Sequence, residues 1–284
     1  MPVQPGAPVG VFDSGIGGLS VLRALQAELP HERFVYLADT AHAPYGERGD
    51  AFVAARTHAI ADHLQAVHGI KALVVACNTA TAAAIHELRA RHPALPVVGV
   101  EPALKPAVTA TRTGRIGVMA TRGTLASAKF GRLLASLQGQ AEFLIQPCPG
   151  LALAIEGLVA SDVDAAAQAA RVEALCADAV AALGSFGDAP GQIDTLVLGC
   201  THYVFAEPVL RRLVGPAVQL VETGAPVARQ ARRLLAQAGL LAADGAPPAL
   251  ALLATGDPRQ LQAAAARWLA APAGTAQAVE VPLP

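Results

Sequence analysis

The stretch "ALVVACNTAT", Ala72–Thr81, decides how the chain is read. Five apolar residues run without alternation, as in a parallel strand covered on both faces, and end in Cys77, Asn78 and Thr79. A strand of this kind carries a thiol to its carboxyl tip and follows it with small polar groups. "TLVLGCTHYVF", Thr195–Phe205, repeats the layout: an apolar run, then Cys200, Thr201 and His202. A cysteine so placed is either a small buried hydrophobe or a reagent. Spacing leaves both open for Cys77, whereas His202 draws Cys200 toward chemistry.

Outward from these two stretches, short apolar runs alternate with longer helical patterns. They predict strands over Val9–Phe12, Phe34–Ala38, Ala72–Ala76, Val97–Val100, Arg115–Met119, Glu142–Ile145, Thr195–Leu198, Val218–Val221 and Ala249–Leu253. Helices are predicted over Asp50–His68, Ala80–Arg91, Ser161–Leu183, Ala225–Ala238 and Pro258–Ala270, with turn-rich connections at Gly187–Gln192 and Ala242–Pro248. The alternation argues for an α/β fold with parallel sheets. "VGVFDSGIGG" (Val9–Gly18) is echoed by "IGVMATRGT" (Ile116–Thr124), as "ALVVACNTA" is by "TLVLGCTHY". Two similar halves would then present strand tips to a shared cleft, because sites in such sheets lie outside the carboxyl ends of the strands. Chance similarity between βα units is the alternative.

Composition narrows the function classes. The 284 residues suit one large domain or two ordinary ones, and 53% are hydrophobic against 15% charged, ample for a core. A net charge of -1 gives no electrostatic case for nucleic acid or a membrane surface. No apolar run reaches the roughly 18 residues of a membrane span, and "MPVQPGAPVG" lacks the basic and apolar regions of a secretory signal. Cys77, Cys148, Cys176 and Cys200 are scattered and form no CxxC pair, which suggests neither a disulfide framework nor zinc, and a reducing, cytoplasmic setting. There is no GxxxxGK[ST] loop or GxSxG elbow, and "GIGGLS" has Ser20 where a dinucleotide fingerprint has its third glycine. Lys71, Lys105 and Lys129 are the lysines, and none follows a polar strand tip as a Schiff-base lysine would. No metal and no cofactor is therefore expected.

Two facing thiols can invert a stereocentre without a cofactor. One thiolate removes a proton from carbon, and the opposite thiol returns one to the other face. A helix N-terminus behind each cysteine would favour the anion. His202 is placed to exchange a proton with Cys200. Asp13, in "FDSG", is placed to do so with Cys77, although it fits a helix cap equally well. Ser14, Asn78, Thr79 and Thr201 suit a substrate bearing carboxylate and ammonium groups, and the glycines of "DSGIGG" let backbone amides approach an anion. Cys176 reads as helix packing and Cys148 as a loop spectator. His31, His42, His58, His63, His68, His86 and His92 show no ligand spacing and read as solvated. A cysteine–histidine hydrolase using His202 as base is a rival.

The chain resembles the cofactor-independent glutamate racemases of the aspartate/glutamate racemase superfamily. Six blocks carry the resemblance: "GVFDSGIGGLSVL" (10–22), "ADTAHAPYGERG" (38–49), "VVACNTATA" (74–82), "GVEPALKPA" (99–107), "IGVMATRGTLAS" (116–127) and "LGCTHY" (198–203). It implies that Cys77 deprotonates the D-enantiomer and Cys200 the L-enantiomer, with Asp13 and His202 as their helpers and Glu156, in "LAIEG", near the histidine. It implies substrate contacts from Asp13, Ser14, Tyr45, Gly46, Asn78, Thr79, Thr121, Thr124, Thr201 and His202. The implied substrate is L- or D-glutamate, with D-glutamate feeding bacterial peptidoglycan synthesis in the cytoplasm. The implied fold is two α/β domains facing each other across the site, residues 1–98 with 212–284 carrying Cys77 and 99–211 carrying Cys200. The resemblance leaves the assembly open, a homodimer included. An aspartate racemase and a noncatalytic amino-acid-binding protein are the alternatives on the same scaffold; binding alone would need neither thiol.

Overall fold

The structure, a computed structural model, describes residues 4–159, 164–269 and 275–283. Its strands are β1 (Val9–Asp13), β2 (Arg33–Ala38), β3 (Ala72–Val75), β4 (Val97–Gly99), β5 (Arg115–Ala120), β6 (Glu142–Pro147), β7 (Thr195–Leu198), β8 (Gln219–Val221), β9 (Ala249–Ala254) and β10 (Gln277–Ala278). All pair in parallel, in two sheets: β10-β9-β2-β1-β3-β4 and β6-β5-β7-β8. The chain divides into two compact units, Met1–Val100 with Gly224–Pro284, and Glu101–Thr223. The first holds the six-stranded sheet and the second the four-stranded one.

The sequence echo has a topological counterpart. The order β2-β1-β3-β4 within the first sheet is repeated as β6-β5-β7-β8 in the second. In both, the order reverses beside the first strand of the set, between β1 and β3 and between β5 and β7. Such a reversal opens a crevice at the carboxyl ends, where ligands bind in open α/β sheets.

Both faces of each sheet are covered, which is why the strands read as unbroken apolar runs. In the first unit Phe12, Leu37, Leu73 and Val75 pack with Ile60, Leu64, Ile85 and Leu88 from the helices Asp50–His68 and Asn78–Arg91. In the second, neighbouring residues of β7 enter different clusters. Leu196 and Leu198 join Ile155, Cys176 and Val180, while Val197 joins Leu104, Ile116, Val118 and Phe130. Cys176 is fully buried in the helix Ala165–Leu183, where the sequence suggested packing.

The nine expected strands are present with ends shifted by up to two residues. β10, only two residues long, carries no sequence pattern and was not expected. The helix expected from Ser161 is described from Ala165, with Asp164 accepting from the amides of Ala166 and Ala167 as its cap; Ser161 lies outside the described residues, as does Ala270 at the end of the helix Pro258–Trp268. Among the described residues no helix is long and apolar enough to cross a membrane.

Asp194 anchors the amino ends of the second sheet. Its carboxylate accepts from the Thr111 hydroxyl (2.6 Å), the Thr195 hydroxyl (3.0 Å) and the amides of Arg112 (2.6 Å) and Thr113 (2.9 Å). Burial alone would raise its pKa, but these bonds override it and hold the carboxyl below its ordinary value. The carboxylate therefore contributes stability above the unfolded pKa of about 3.9 and loses it as pH falls through the lower folded value. Asp194→Ala should destabilise the protein by about 1–3 kcal/mol at pH 7, because the buried Thr195 hydroxyl and three half-buried donors lose their acceptor. In urea titrations the gap from the parent should hold between about pH 7 and 5 and narrow below about pH 4.

Candidate active site

Register sets the site of the first unit. Asp13 ends β1 opposite Ala38, and Phe12 lies opposite Val75, so Asp13, Asp39 and Cys77 all fall at the same edge of the sheet. The ladders run past the strands: Ala76 N–H donates to Phe12 O (2.7 Å) and Asp39 N–H to Asp13 O (2.9 Å). Cys77 then takes the N-cap position of the Asn78–Arg91 helix, and its Sγ accepts from Ala80 N–H at 3.5 Å. A helix N-terminus carries partial positive charge and free amides, so this position favours a thiolate. Sγ also lies 3.7 Å from Ser14 Oγ, which lies 3.4 Å from Asp13 Oδ1.

Asp13 is completely buried, and its carboxylate accepts from the amides of Ser14 (2.8 Å) and Gly18 (2.6 Å). The helix that follows, Leu19–Glu28, has Gly18 at its N-cap and no side-chain cap bond, so Asp13 is not its cap; the Ser14 and Gly18 amides instead fix the carboxylate at the strand tip. The anion approached by the "DSGIGG" amides is thus Asp13 itself. Gly18 is required by space: a Cβ there would fall 2.6 Å from Asp13 Cβ and 2.9 Å from the Tyr36 hydroxyl. Asn78 is 5% exposed, yet neither its side-chain oxygen nor its nitrogen has a partner among the described residues. Buried amides are nearly always hydrogen-bonded, so an unpartnered one beside a strand tip is an exception that a bound polar group would remove. Thr79 is buried alongside.

Tyr45 and Gly46 sit in a short 3-10 turn, Tyr45–Glu47. The Tyr45 hydroxyl donates to Asp39 Oδ2 at 2.6 Å, and burial together with the Asp39 charge pushes the phenol far above its ordinary pKa, keeping it a neutral donor. Its ring packs against Phe12 in the cluster that includes Cys77. Asp39, Arg56 and Thr255 were missed in the sequence. Two signals were available: "ADT" at the end of β2 repeats the Asp-hydroxyl pattern of "FDS", and Arg56 interrupts the buried stripe Val53, Thr57, Ile60, Leu64 of its helix. His42, read as solvated, has its Nδ1 3.1 Å from Asp39 Oδ1.

The second unit solves the same problem differently. Gly199 N–H donates to Met119 O at 2.7 Å, carrying the ladder to Cys200. A Cβ on Gly199 would meet that same oxygen at 2.8 Å. Cys200 opens a 3-10 turn, Thr201–Ala206, and its sulfur makes no cap bond, unlike that of Cys77. Its neighbour is His202, with Nδ1 3.7 Å from Sγ, while Nε2 lies 2.6 Å from Glu156 Oε1. Burial disfavours the imidazolium, but the hydrogen bonds and charges of Cys200 and Glu156 override it, raising the His202 pKa well above its ordinary value. Acceptors at both ring nitrogens fit the doubly protonated ring. Thr201 is buried beside it. Thr121 caps the short helix Arg122–Ala126, its Oγ1 accepting from Thr124 N–H (3.2 Å) and lying 3.0 Å from Thr124 Oγ1.

Cys148 lies in the loop after β6, as expected, but it is buried in the core of the second unit, and burial pushes its thiol up to about 12. Cys176 is pushed up to about 11 for the same reason. These two remain thiols at neutral pH.

Each unit thus carries a cysteine at the strand-order reversal of a parallel sheet, with an acid–base group close by. That defines a class of cysteine-based acid–base sites. The chain belongs to the Asp/Glu/Hydantoin racemase family, whose model matches residues 18–231, and it is accordingly an isomerase. It is 50% identical over 260 residues to the glutamate racemase of Ectopseudomonas mendocina (strain ymp), covering 92% of this chain and 94% of that protein. The crystal structure of glutamate racemase isoform RacE1 from Bacillus anthracis matches with a TM-score of 0.84 at 30% identity, over 99% of this chain and all (100%) of that one. Escherichia coli glutamate racemase, in complex with L-glutamate and the activator UDP-MurNAc-ala, matches with a TM-score of 0.79 at 29% identity, over 97% and 99% of the two chains.

Two outcomes test this geometry. Glu156→Gln removes an anion that favours the imidazolium, so the His202 pKa should fall, read from an NMR titration of the imidazole; no change or a rise rejects the Glu156–His202 coupling. Asn78→Leu removes a buried amide that has no partner among the described residues, so stability should change by less than about 1 kcal/mol or improve. The same change should weaken L-glutamate binding about tenfold or more, the scale of one lost hydrogen bond.

Proposed function

We propose that the chain interconverts L- and D-glutamate with two thiols and no cofactor, and that the D-glutamate formed feeds peptidoglycan synthesis in the cytoplasm. The observation that carries the proposal is the pair of cysteines at equivalent strand tips, after β3 and after β7, each with its own acid–base surroundings. The glutamate racemases to which the chain is similar over nearly its full length support the choice of substrate.

In the L-to-D direction, Cys200 as thiolate takes the α-proton, leaving a carbanion stabilised by the adjacent carboxylate. Cys77 as thiol gives a proton to the opposite face and becomes the thiolate. The reverse direction exchanges the roles, so the enzyme needs one acid and one base at once. A D-to-L turnover leaves Cys200 as thiolate, and protonated His202 returns a proton to it; an L-to-D turnover leaves Cys200 as thiol, and His202 takes that proton after passing its own to Glu156. Asp13, fixed by backbone amides, does this for Cys77 directly or through Ser14. Asn78, Thr79, Thr201 and the Thr121–Thr124 pair supply neutral hydrogen-bonding groups for the substrate's carboxylates and ammonium, with Tyr45–Gly46 closing the first wall.

Circular dichroism of the purified protein with L-glutamate, and separately with L-aspartate, tests the substrate. Loss of signal with glutamate and not with aspartate is expected. Cys77→Ser and Cys200→Ser should each slow racemisation by at least about 10²–10⁴ while still binding glutamate, since a serine hydroxyl cannot serve as the base at neutral pH. With a glutamate analogue that loses chloride from the β-carbon, Cys77→Ser should still process the L-form and Cys200→Ser the D-form, because elimination needs one base. Normal racemisation by either variant would rule out the two-thiol mechanism.

A further inference from the structure

Strand β2 is bracketed by two buried ion pairs. At its start, Glu32 meets Lys71 at 2.5 Å, with the two side chains 2% and 0% exposed. At its end, Asp39 meets Arg56 through a two-point fork, Nη2 to Oδ1 at 2.6 Å and Nε to Oδ2 at 3.0 Å, with both side chains equally buried. The partners differ. Glu32 accepts from Ala242 N–H, and Lys71 donates to Pro5 O, all at the amino ends of the strands. Asp39 gathers groups from the carboxyl end: the Tyr45 hydroxyl (2.6 Å), the Thr255 hydroxyl (2.8 Å) and His42 Nδ1 (3.1 Å).

The segment between these groups is tied at several further points. Ala41 N–H donates to Thr255 Oγ1 (3.2 Å), and Gly256 N–H donates to Thr40 Oγ1 (3.1 Å). Thus Thr40, Ala41, His42 and Tyr45 are all held to Asp39 or to the residues just past β9. Arg56 extends the network to the end of the described chain, donating from Nη1 to Val281 O at 2.5 Å, and the Val279 amide donates to Ala254 O. The backbone of Asp39 itself bonds to Asp13 O. A fully buried carboxylate that receives five donor atoms from four side chains is rigid by construction, because removing it strands every donor.

We infer that Asp39 and Arg56 are positioning residues for the substrate-binding turn Tyr45–Glu47, clamping the 40–47 segment between the tips of β2 and β9 and the 279–281 tail. The inference rests on the reading that Tyr45 and Gly46 contact the substrate. Asp39 touches no reacting atom. It fixes where the turn stands, so its loss raises KM and leaves the thiols as they were.

The Glu32–Lys71 pair supplies a matched control on the same strand. Asp39→Asn, Arg56→Lys and Glu32→Gln are compared by hydrogen exchange of the 40–47 amides without substrate, by thermal melting, and by kcat and KM for glutamate. Arg56→Lys keeps the charge and loses the fork. Asp39→Asn and Arg56→Lys should speed exchange across 40–47 by about tenfold or more and raise KM by a similar factor, with kcat within about threefold. Glu32→Gln should lower the melting temperature comparably and move neither readout. Unchanged exchange in both clamp variants, or the same change in Glu32→Gln, overturns the inference. Faster exchange with unchanged KM also overturns it, since the clamp would then hold a segment that binding does not use. If the parent protein inverts no glutamate, the proposed function fails, and the exchange comparison still decides the clamp. Should Asp39→Asn fail to fold, Arg56→Lys carries the same readouts.

Discussion

Parallel pairing sends every carboxyl end of a sheet to the same edge, and the rest of this structure follows from that constraint. In the first unit β1, β2, β3 and β9 end within a residue or two of one another, so Asp13, Asp39, Cys77 and Thr255 arrive together although their sequence numbers span more than two hundred positions. In the second, β5 and β7 do the same for Thr121 and Cys200. A slip of β1 by one residue would bring a side chain to the place of Gly10, where a Cβ already falls 2.9 Å from Ile70 Cδ1.

Each unit places a cysteine at such a tip and supports it by different means. Cys77 is supported by backbone, since its sulfur caps a fourteen-residue helix whose amides and dipole lie behind it. Cys200 is supported by side chains, with a histidine at one remove and a carboxylate at two. The difference follows from the chain: after Cys77 comes a long alanine-rich helix, and after Cys200 comes only a 3-10 turn, which offers fewer aligned amides.

The tips were legible in the sequence because they combine an apolar run, readable without a partner, with an abrupt polar switch. The repeated layout at Cys77 and Cys200 and the echo of β1 in β5 also showed, and the repeated strand order is their three-dimensional form. Long-range side-chain pairing did not show. The helical stripe places Arg56 on the inward face, but it does not say that its partners are a carboxylate seventeen residues earlier and a carbonyl at 281. Local spacing also could not tell that the Tyr45 hydroxyl is engaged by Asp39, nor that Cys148 is core. β10 has two residues, below any periodicity.

The crowding at Gly18 has a consequence for how this chain can change over generations. Any side chain there would collide with Asp13 and Tyr36 at once, so the glycine and the aspartate are locked as a pair. A single substitution at position 18 leaves no room for the carboxylate, whereas a smaller residue at 13 frees space but removes the acceptor that holds the Gly18 amide. Drift toward a different chemistry at the first strand tip must therefore pass through a simultaneous double change or a poorly folded intermediate. The second tip has no such lock in its acid–base pair, so the surroundings of Cys200 can change one residue at a time.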